Sequence, residues 1–159
     1  MKNYNIEIKW AIRFSLLMLA WAIGEKLTGL HDAHIANYWI YTNLFAIPAL
    51  LFYSLALIEK KQSFFNGNIS WKQGVVSGIV LSFLIAILNP IIQVVIYNGI
   101  SPQYFENIIE YKTKHRHMSL ETAKTYFNLK SYLIQTTFTN LSLGTITGAL
   151  VSYFIKSKH

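Results

Sequence analysis

The chain has 159 residues, of which 53% are hydrophobic and 13% are charged, and its formal net charge is +7. The length suits one domain, and so low a share of charged residues is typical of a membrane protein rather than of a water-soluble one. The sequence contains no cysteine, which excludes disulfides, thiolate metal sites and cysteine nucleophiles. The basic residues flank apolar segments, where lipid headgroups would meet them, so the positive charge does not indicate nucleic-acid binding.

The first apolar segment lies at about 10–30 and is the least apolar of four. The alternative interpretation is a cleaved signal peptide, because the tripeptide at 20–22 matches the small-residue cleavage pattern A-x-A. The apolar run before this tripeptide is short, and Arg13 interrupts it. We therefore interpret the segment as a retained membrane span.

Three further apolar segments predict three further spans. The second span is expected at about 38–58, with Pro48 near its middle, and a basic loop at 59–73 follows it. The third segment, at 74–97, contains no charged residue and would be about 36 Å long as a helix, enough to cross a hydrocarbon core of about 30 Å. The fourth segment lies at about 131–155.

A polar segment at 98–130 separates the last two spans. Ser101-Pro102 is typical of a helix start, because serine can cap the first turn and proline suits the first helical position. Ser119 predicts the start of a second helix in the same way. We therefore predict an all-α fold in which residues 1–159 form a single transmembrane domain. Its architecture is a four-helix transmembrane bundle with a short helical hairpin between spans three and four.

Lysine and arginine are more frequent on one side of this four-span arrangement, the side that holds both termini. That side holds eight of them: Lys2, Lys9, Arg13, Lys60, Lys61, Lys72, Lys156 and Lys158. The other side holds six: Lys26, Lys112, Lys114, Arg116, Lys124 and Lys130. Because basic segments tend to remain in the cytoplasm, both termini and the 59–73 loop are expected to be cytoplasmic.

Five sequence runs, spread over nearly the whole chain, carry a resemblance to a known family. They are WAIGEKLTGLH at 21–31, IYTNLFAIPA at 40–49, NGNISWKQG at 66–74, ISPQYF at 100–105 and YFNLK at 126–130. In this order they resemble the bacterial integral membrane family catalogued as domain of unknown function 4199. The resemblance implies a small inner-membrane protein of four helices, and it implies no activity or catalytic residue.

Two G-x-x-x-G motifs are candidates for close helix packing. They place Gly74 with Gly78 in the third span and Gly144 with Gly148 in the fourth. Each spacing puts both glycines on one helix face, where another backbone can approach closely. Because the two motifs lie at similar depth in antiparallel spans, we expect packing within one chain, and dimerisation is the alternative.

Polar side chains within the spans are predicted to gather in the half of the bilayer away from the termini. They are Glu25, Asn43, Asn89, Gln93 and Gln135, with Asn140 near the middle. One interpretation is a polar cavity open to the outer side, and the other is hydrogen bonding that only holds the helices together. Glu25 favours the cavity, because an ionisable group inside a span marks a functional site by default. We expect its side chain to turn inward and to contact a polar residue of span two, three or four, or Lys26 or His31.

Four histidines on the predicted outer side are weak candidates for a metal site: His31, His34, His115 and His117. Imidazole suits zinc, and Asp32 lies beside the first pair. The spacings H-x-x-H and H-x-H in loops lack the i, i+4 placement of a helical zinc motif. We therefore expect solvated histidines at the interface and no metal site.

These observations favour a non-catalytic integral membrane protein, either an accessory or scaffolding subunit or a protein that binds a small ligand or lipid. The alternatives are a small transporter or channel with an outward-facing polar cavity and, least favoured, an enzyme that acts on lipid. Catalysis is disfavoured because Glu25 is the one acid well inside a span, and no serine is expected to share its depth with a histidine or aspartate. No cofactor is expected. The expected partners are the lipid bilayer, other membrane-protein subunits or a second copy of the chain, and no nucleic acid.

Overall fold

A computed structural model describes residues 4–115 and 117–157, and both ranges are mainly helical. The α-helices are α1 (Asn5–Leu27), α2 (Tyr38–Asn43), α3 (Ala46–Ser63), α4 (Trp71–Val95), α5 (Tyr104–Lys114), α6 (Leu120–Tyr126) and α7 (Leu129–Ile155). A 3-10 turn at Ile35–Asn37 precedes α2, and a π-helical turn at Ile96–Ile100 extends α4. The predicted all-α class is confirmed.

Among the described residues, three helical stretches are long and apolar enough to cross a membrane. They are Ile35–Ser63, Trp71–Ile100 and Leu129–Ile155, and they correspond to the second, third and fourth predicted spans. Helix α1 is not one of them, because charged residues lie near both of its ends. These residues are Glu7, Lys9, Arg13, Glu25 and Lys26. The four-span bundle is thus supported for three of its helices, and the crossing of α1 remains a prediction.

The second stretch is two helices rather than one continuous helix. Helix α2 ends at Asn43, and α3 begins at Ala46, so that Pro48 lies in the first turn of α3 and not in mid-helix. Proline has no N–H with which to reach the carbonyl of Leu44 four residues earlier. That carbonyl instead accepts from the N–H of Ile47 at 3.1 Å, which tightens the backbone at the junction.

The polar segment contains two helices, as predicted, but only one of the two predicted caps is correct. The Ser119 hydroxyl accepts a hydrogen bond from the Thr122 N–H at 3.2 Å and caps α6. The prediction that Ser101 caps α5 is wrong, because α5 begins at Tyr104 and has no side-chain cap at Gln103. The Ser101 hydroxyl is engaged elsewhere, against a histidine described below.

Helices α4 and α7 are antiparallel and cross at the glycine motifs. A Cβ atom added at Gly78 would lie 2.8 Å from the Cα of Gly148, and one added at Gly74 would lie 2.6 Å from the Ser152 hydroxyl. Both distances are shorter than ordinary van der Waals contact, so only glycine permits this approach. The structure therefore places the two motifs of one chain against each other.

The fourth motif glycine, Gly144, leaves room for side chains rather than for a backbone. A Cβ atom at this position would lie 2.6 Å from the Ser82 hydroxyl and would also overlap the Tyr53 hydroxyl. These two hydroxyls are hydrogen-bonded at 3.0 Å. Gly144 thus lets α3 join the α4–α7 pair.

Two clusters of buried apolar residues hold the helices together, one at each end of the bundle. The terminal end, where α1 begins and α7 ends, contains Trp10, Ala11, Phe14, Tyr53, Ala56, Leu57, Leu81, Ile85 and Val151. The hairpin end, where α5 and α6 lie, contains Ala22, Ile35, Ile92, Ile96, Tyr97, Tyr104, Ile108, Ala123 and Phe127. The hairpin end is the one that brings the predicted polar residues together.

Candidate functional site

A cavity of about 280 Å³ lies at the hairpin end between α1, α2, α4 and α7. Its polar lining comes from Glu25, His31, Thr42, Gln93, Gln135, Thr136, Thr139 and Asn140. Aromatic side chains supply much of the rest: Trp21, Tyr38, Phe45, Tyr97 and Tyr132. The site thus combines a few polar groups with an apolar surround, which is the usual composition of a small-molecule site.

Glu25 is the acidic side chain of the cavity, and it is only 7% exposed. Trp21, one turn earlier on α1, donates its indole N–H to Oε1 at 2.9 Å, and His31 Nε2 lies 3.3 Å from Oε2. The carboxylate therefore turns inward and contacts His31, as expected. Lys26 does not neutralise it, because Lys26 donates to Asp32 at 2.7 Å.

The Lys26–Asp32 pair lies outside the cavity and in contact with water. The hydrogen bond from Lys26, and after it the one from the Ala33 N–H, holds the pKa of Asp32 below its ordinary value. Asp32 is therefore ionised, and the charge of Lys26 is balanced by it rather than by the cavity.

His31 is positioned by a tight turn after α1. Gly29 adopts a φ of +75°, a left-handed conformation that glycine enters without strain, and the Leu30 N–H donates to the Glu25 carbonyl at 2.9 Å. The turn folds the chain back so that the His31 side chain, 1% exposed, faces α1. Asn107 of α5 donates to the His31 carbonyl at 3.0 Å and fixes this turn against the polar segment.

The second ring nitrogen of His31 contacts Ser101, which sequence reasoning did not select as a site residue. Nδ1 lies 2.6 Å from the Ser101 Oγ, and Ser101 is 1% exposed. The two residues are 70 positions apart. The sequence offered one indication of this contact: in a four-span bundle the end of span one and the end of span three lie on the same side of the membrane.

Ser101, His31 and Glu25 have the residue types of a nucleophile, a base and an orienting acid, but their arrangement is unsuited to that role. A catalytic serine must meet the substrate, whereas here the serine is buried and does not line the cavity that the described residues form. The carboxylate is the group that faces the cavity. The chain of contacts therefore holds the Glu25 carboxylate from the side opposite the cavity.

A second polar group lies deeper between α4 and α7, and Asn89 is its centre. The Asn89 Oδ1 accepts from Gln93 Nε2 at 3.1 Å and from Asn140 Nδ2 at 2.9 Å. Its Nδ2 donates to the hydroxyls of Thr136 at 2.8 Å and Thr137 at 3.1 Å. Asn89 is fully buried and fully hydrogen-bonded, so it orients the two amides that line the cavity rather than lining it.

Gln93 keeps one acceptor without a donor. Its Nε2 is bonded to Asn89, and its Oε1 is buried with no hydrogen-bond partner among the described residues. The side chain is 5% exposed and lines the cavity. A buried carbonyl without a donor costs about 1–3 kcal/mol, so a donor from a bound molecule would stabilise this site.

Tyrosine rings pack around the side of the cavity nearest the hairpin. The ring centroids of Tyr97 and Tyr132 are 5.5 Å apart, and Tyr104 packs behind Tyr97 at 5.0 Å. The hydroxyls of Tyr104 and Tyr132 are 3.0 Å apart. Burial raises the pKa of Tyr104 well above its ordinary value, so this hydroxyl stays neutral.

Of the six residues predicted to share a cavity, four line it: Glu25, Gln93, Gln135 and Asn140. Asn89 lies behind them. Asn43 was grouped with them wrongly: it is exposed, and its amide donates to the Trp39 carbonyl one turn earlier. The physical reason is its face of α2: Tyr38 and Thr42 line the cavity, whereas Asn43, one turn after Trp39, lines a neighbouring groove.

The four histidines do not converge. His31 lies in the cavity, whereas the His34 Nδ1 contacts the Thr28 carbonyl at 2.8 Å. His115 and His117 stack near Tyr111 at the end of α5. Within 4–115 and 117–157, no three histidine, aspartate or glutamate side chains gather closely enough to hold a metal ion.

A buried ion pair at the terminal end was also missed by sequence reasoning. Glu7 is 2% exposed and Lys60 is 4% exposed, with 3.0 Å between the Glu7 Oε1 and the Lys60 Nζ. The Ser77 hydroxyl of α4 donates to the same Glu7 oxygen at 2.6 Å. Glu7 and Glu25 are separated by about five turns of α1 and so share one face, which was the signal available in the sequence.

Comparison with known proteins adds a family and no activity. The family model described as "Protein of unknown function (DUF4199)" matches residues 9–157. No curated protein matches the chain. No solved structure matches it either. Because the matched region covers nearly the whole chain, the protein belongs to the DUF4199 family of proteins of unknown function.

Proposed function

We propose that the protein is an integral membrane protein in which α1 crosses the bilayer together with α2–α3, α4 and α7. Exposed apolar side chains along one face of α1 support this: Ile8, Ile12, Leu16, Ile23 and Leu27. They recur at helical spacing over the length of the helix and would face lipid. The charged side chains of α1 have partners. Glu7 meets Lys60, Lys9 meets Glu59, Glu25 meets His31 and Lys26 meets Asp32, while the Arg13 guanidinium lies 4.9 Å from the centre of the Trp10 ring.

The proposed location is the bacterial inner membrane, with both termini and the α3–α4 loop in the cytoplasm. The excess of basic residues on that side supports this orientation. Three of the residues in that count, Lys2, Arg116 and Lys158, lie outside the described residues. In this orientation the cavity lies in the outer half of the bilayer, and α5 and α6 lie at the outer surface.

The function that we propose is non-catalytic binding of a small ligand in the Glu25 cavity. The observation that carries this proposal is a carboxylate, only 7% exposed, that lines a cavity. With α1 crossing the bilayer as proposed, this ionisable group would lie inside a span, where such groups mark functional sites. A residue that only held helices together would be enclosed by its partners, as Asn89 is. Glu25 instead lines the cavity, and each of its oxygens has one contact and so can accept a further hydrogen bond. The Gln93 Oε1 has no donor among the described residues.

A small transporter is the second candidate, and the shape of α4 favours it. Pro90 lies inside α4, and the π-helical turn that follows contains Ile96 and Tyr97, which both line the cavity. Interrupted helices beside a polar site are common in transporters. A lipid-acting enzyme is disfavoured because Ser101 does not line the cavity.

The experiment is native mass spectrometry of the protein after gentle extraction, with Glu25→Gln as the test variant and Asp32→Asn as its control. Both changes remove one carboxylate from the hairpin end, but Asp32 lies outside the cavity. We expect the wild type and Asp32→Asn to retain a small molecule that Glu25→Gln loses. A stoichiometric protein partner, with no small molecule retained by any of the three, would favour the scaffolding alternative and contradict the proposal.

A further inference from the structure

The chemistry of the cavity lining points to one class of ligand, and this inference rests on the ligand-binding function proposed above. We propose that the cavity binds a primary alkylammonium group. Its positive charge would lie against the Glu25 carboxylate, its carbon atoms against the aromatic rings, and one of its N–H groups would be donated to the Gln93 Oε1.

The charge of the lining favours a cation over an anion. Glu25 is the acidic side chain in it, and the basic one is His31, whose Nδ1 is occupied by Ser101. No lysine or arginine of the described residues lines this cavity, and nearby Lys26 is paired with Asp32. Because Glu25 is only 7% exposed, its carboxylate would attract a positive ligand more strongly than a carboxylate in bulk water does.

The aromatic rings distinguish an organic cation from a metal ion. Trp21, Tyr38, Phe45, Tyr97 and Tyr132 all line the cavity. Ammonium groups bind favourably against the faces of such rings, and the attraction increases when water is excluded. Hard metal cations instead prefer several carboxylate or carbonyl oxygens at fixed distances, and Glu25 is the one carboxylate that the described lining supplies.

The unpartnered carbonyl distinguishes a primary ammonium from a quaternary one. Gln93 is 5% exposed, and its Oε1 has neither a donor among the described residues nor appreciable accessible surface. A ligand N–H therefore reaches this oxygen when the Gln93 amide turns toward the cavity that its side chain lines. A primary ammonium carries three N–H donors, enough for both Glu25 and Gln93. A quaternary ammonium carries none and would leave the Gln93 carbonyl unsatisfied. Gln93 should therefore act as the selectivity residue for N–H donors.

The volume limits the bound portion to a small group. A cavity of about 280 Å³ is at the lower limit for small-molecule sites, which are typically about 300–1,000 Å³. It suits an aminoalkyl group rather than a whole lipid. The same ammonium chemistry is offered by a free amine and by an aminoethyl lipid headgroup, and the experiment separates these two sources.

The first experiment is calorimetric titration of the full-length protein in dodecylmaltoside with four probes of similar size. It tests whether the ligand must be positively charged and whether it must carry N–H donors. The probes are propylammonium, tetramethylammonium, 1-propanol and propionate. We expect saturable binding of propylammonium, weaker binding of tetramethylammonium, and no binding of the alcohol or the anion. Binding of propionate, or equal binding of propanol and propylammonium, would overturn the inference.

Two cavity variants and one control sharpen the test. Glu25→Gln should weaken propylammonium binding by about tenfold or more, because it removes a charge-assisted hydrogen bond. Gln93→Met should weaken propylammonium several-fold and leave tetramethylammonium unchanged, whereas Asp32→Asn should change neither. If Glu25→Gln does not fold, Gln93→Met still tests the proposal through its change in preference between propylammonium and tetramethylammonium. Equal loss of both cations in Gln93→Met would contradict the assigned role.

Reconstitution in lipid nanodiscs then shows whether the ammonium group comes from a lipid headgroup or from a free amine. Retention of phosphatidylethanolamine over phosphatidylcholine and phosphatidylglycerol in native mass spectra would identify a lipid headgroup, whereas displacement by free ethanolamine alone would identify a soluble amine. Either result supports the ammonium site. A retained molecule that carries no amine would refute this inference and leave the ligand-binding function standing. No retained molecule and no binding of any probe would refute both.

Discussion

The crossing of α4 and α7 makes a prediction that can be worked out from one distance. Gly78→Ala would place a methyl carbon 2.8 Å from the Gly148 Cα. Carbon atoms pack at about 3.5–4.0 Å, so the two helices would have to separate locally by about 0.7 Å or more. Gly24, in the exposed part of α1, is the matched control, because nothing lies within 4 Å of a Cβ atom added there.

The magnitude follows from two opposing effects. Overpacking of this kind costs about 1–3 kcal/mol, while replacing a helical glycine by alanine gains about 0.5–1 kcal/mol through reduced backbone entropy of the unfolded chain. Gly78→Ala should therefore lower the free energy of unfolding by up to about 2.5 kcal/mol. Gly24→Ala should raise it by up to about 1 kcal/mol, because only the second effect applies.

The assay is unfolding of each purified variant by increasing mole fractions of SDS, followed by tryptophan fluorescence. The double variant Gly78→Ala/Gly148→Ala adds an internal check. Both methyl groups strain the same contact, so their combined cost should be smaller than the sum of the two single costs. Equal unfolding midpoints for Gly78→Ala and Gly24→Ala would refute the close crossing.

Three further predictions concern topology and buried polar groups. Single cysteines introduced at Ser63 and Lys124 should react with an impermeant thiol reagent from opposite sides of the membrane; labelling of both from one side would contradict the four-span arrangement. Glu7→Leu should reduce stability by about 3–5 kcal/mol in the SDS assay, and adding Lys60→Met should recover most of the loss. If the double variant is no more stable than Glu7→Leu alone, the loss of stability does not come from leaving Lys60 buried without its partner. Asn89→Leu should reduce stability by about 1–3 kcal/mol because it leaves buried donors and acceptors unsatisfied, and a neutral result would contradict the hydrogen-bond network.

The parts of the fold that depend on local pattern could be predicted from the sequence. Long apolar runs gave the helices, and a four-residue glycine spacing indicated the face of α4 that meets α7. Counting residues along helices placed Glu25, Gln93 and Gln135 in the same half of the bundle, with Asn140 nearer the middle, and the structure brings all four to one cavity. Depth and helix face both follow from the spacing of residues along one helix, so the sequence alone was enough to predict them.

The parts that depend on loop geometry could not be predicted. Ser101 meets His31 only because Gly29 reverses the chain after α1 and a π-helical turn ends α4, and no local pattern specifies either. Lys60 was assigned to the lipid interface by its position in a basic loop. Its burial against Glu7 depends on the angle at which α1 meets α3, which hydropathy does not encode.

The buried Glu7 of α1 has a consequence for how the protein is made. Glu7 leaves the ribosome before its partners, since Lys60 follows it by 53 residues and Ser77 follows it by 70. Until α3 and α4 have been synthesised, α1 would bury an uncompensated carboxylate, at a cost of several kcal/mol. We therefore expect α1 to integrate late, with α3 and α4 as its template. A nascent chain stopped after residue 35 should leave α1 extractable by alkali, whereas one that extends through residue 115 should not.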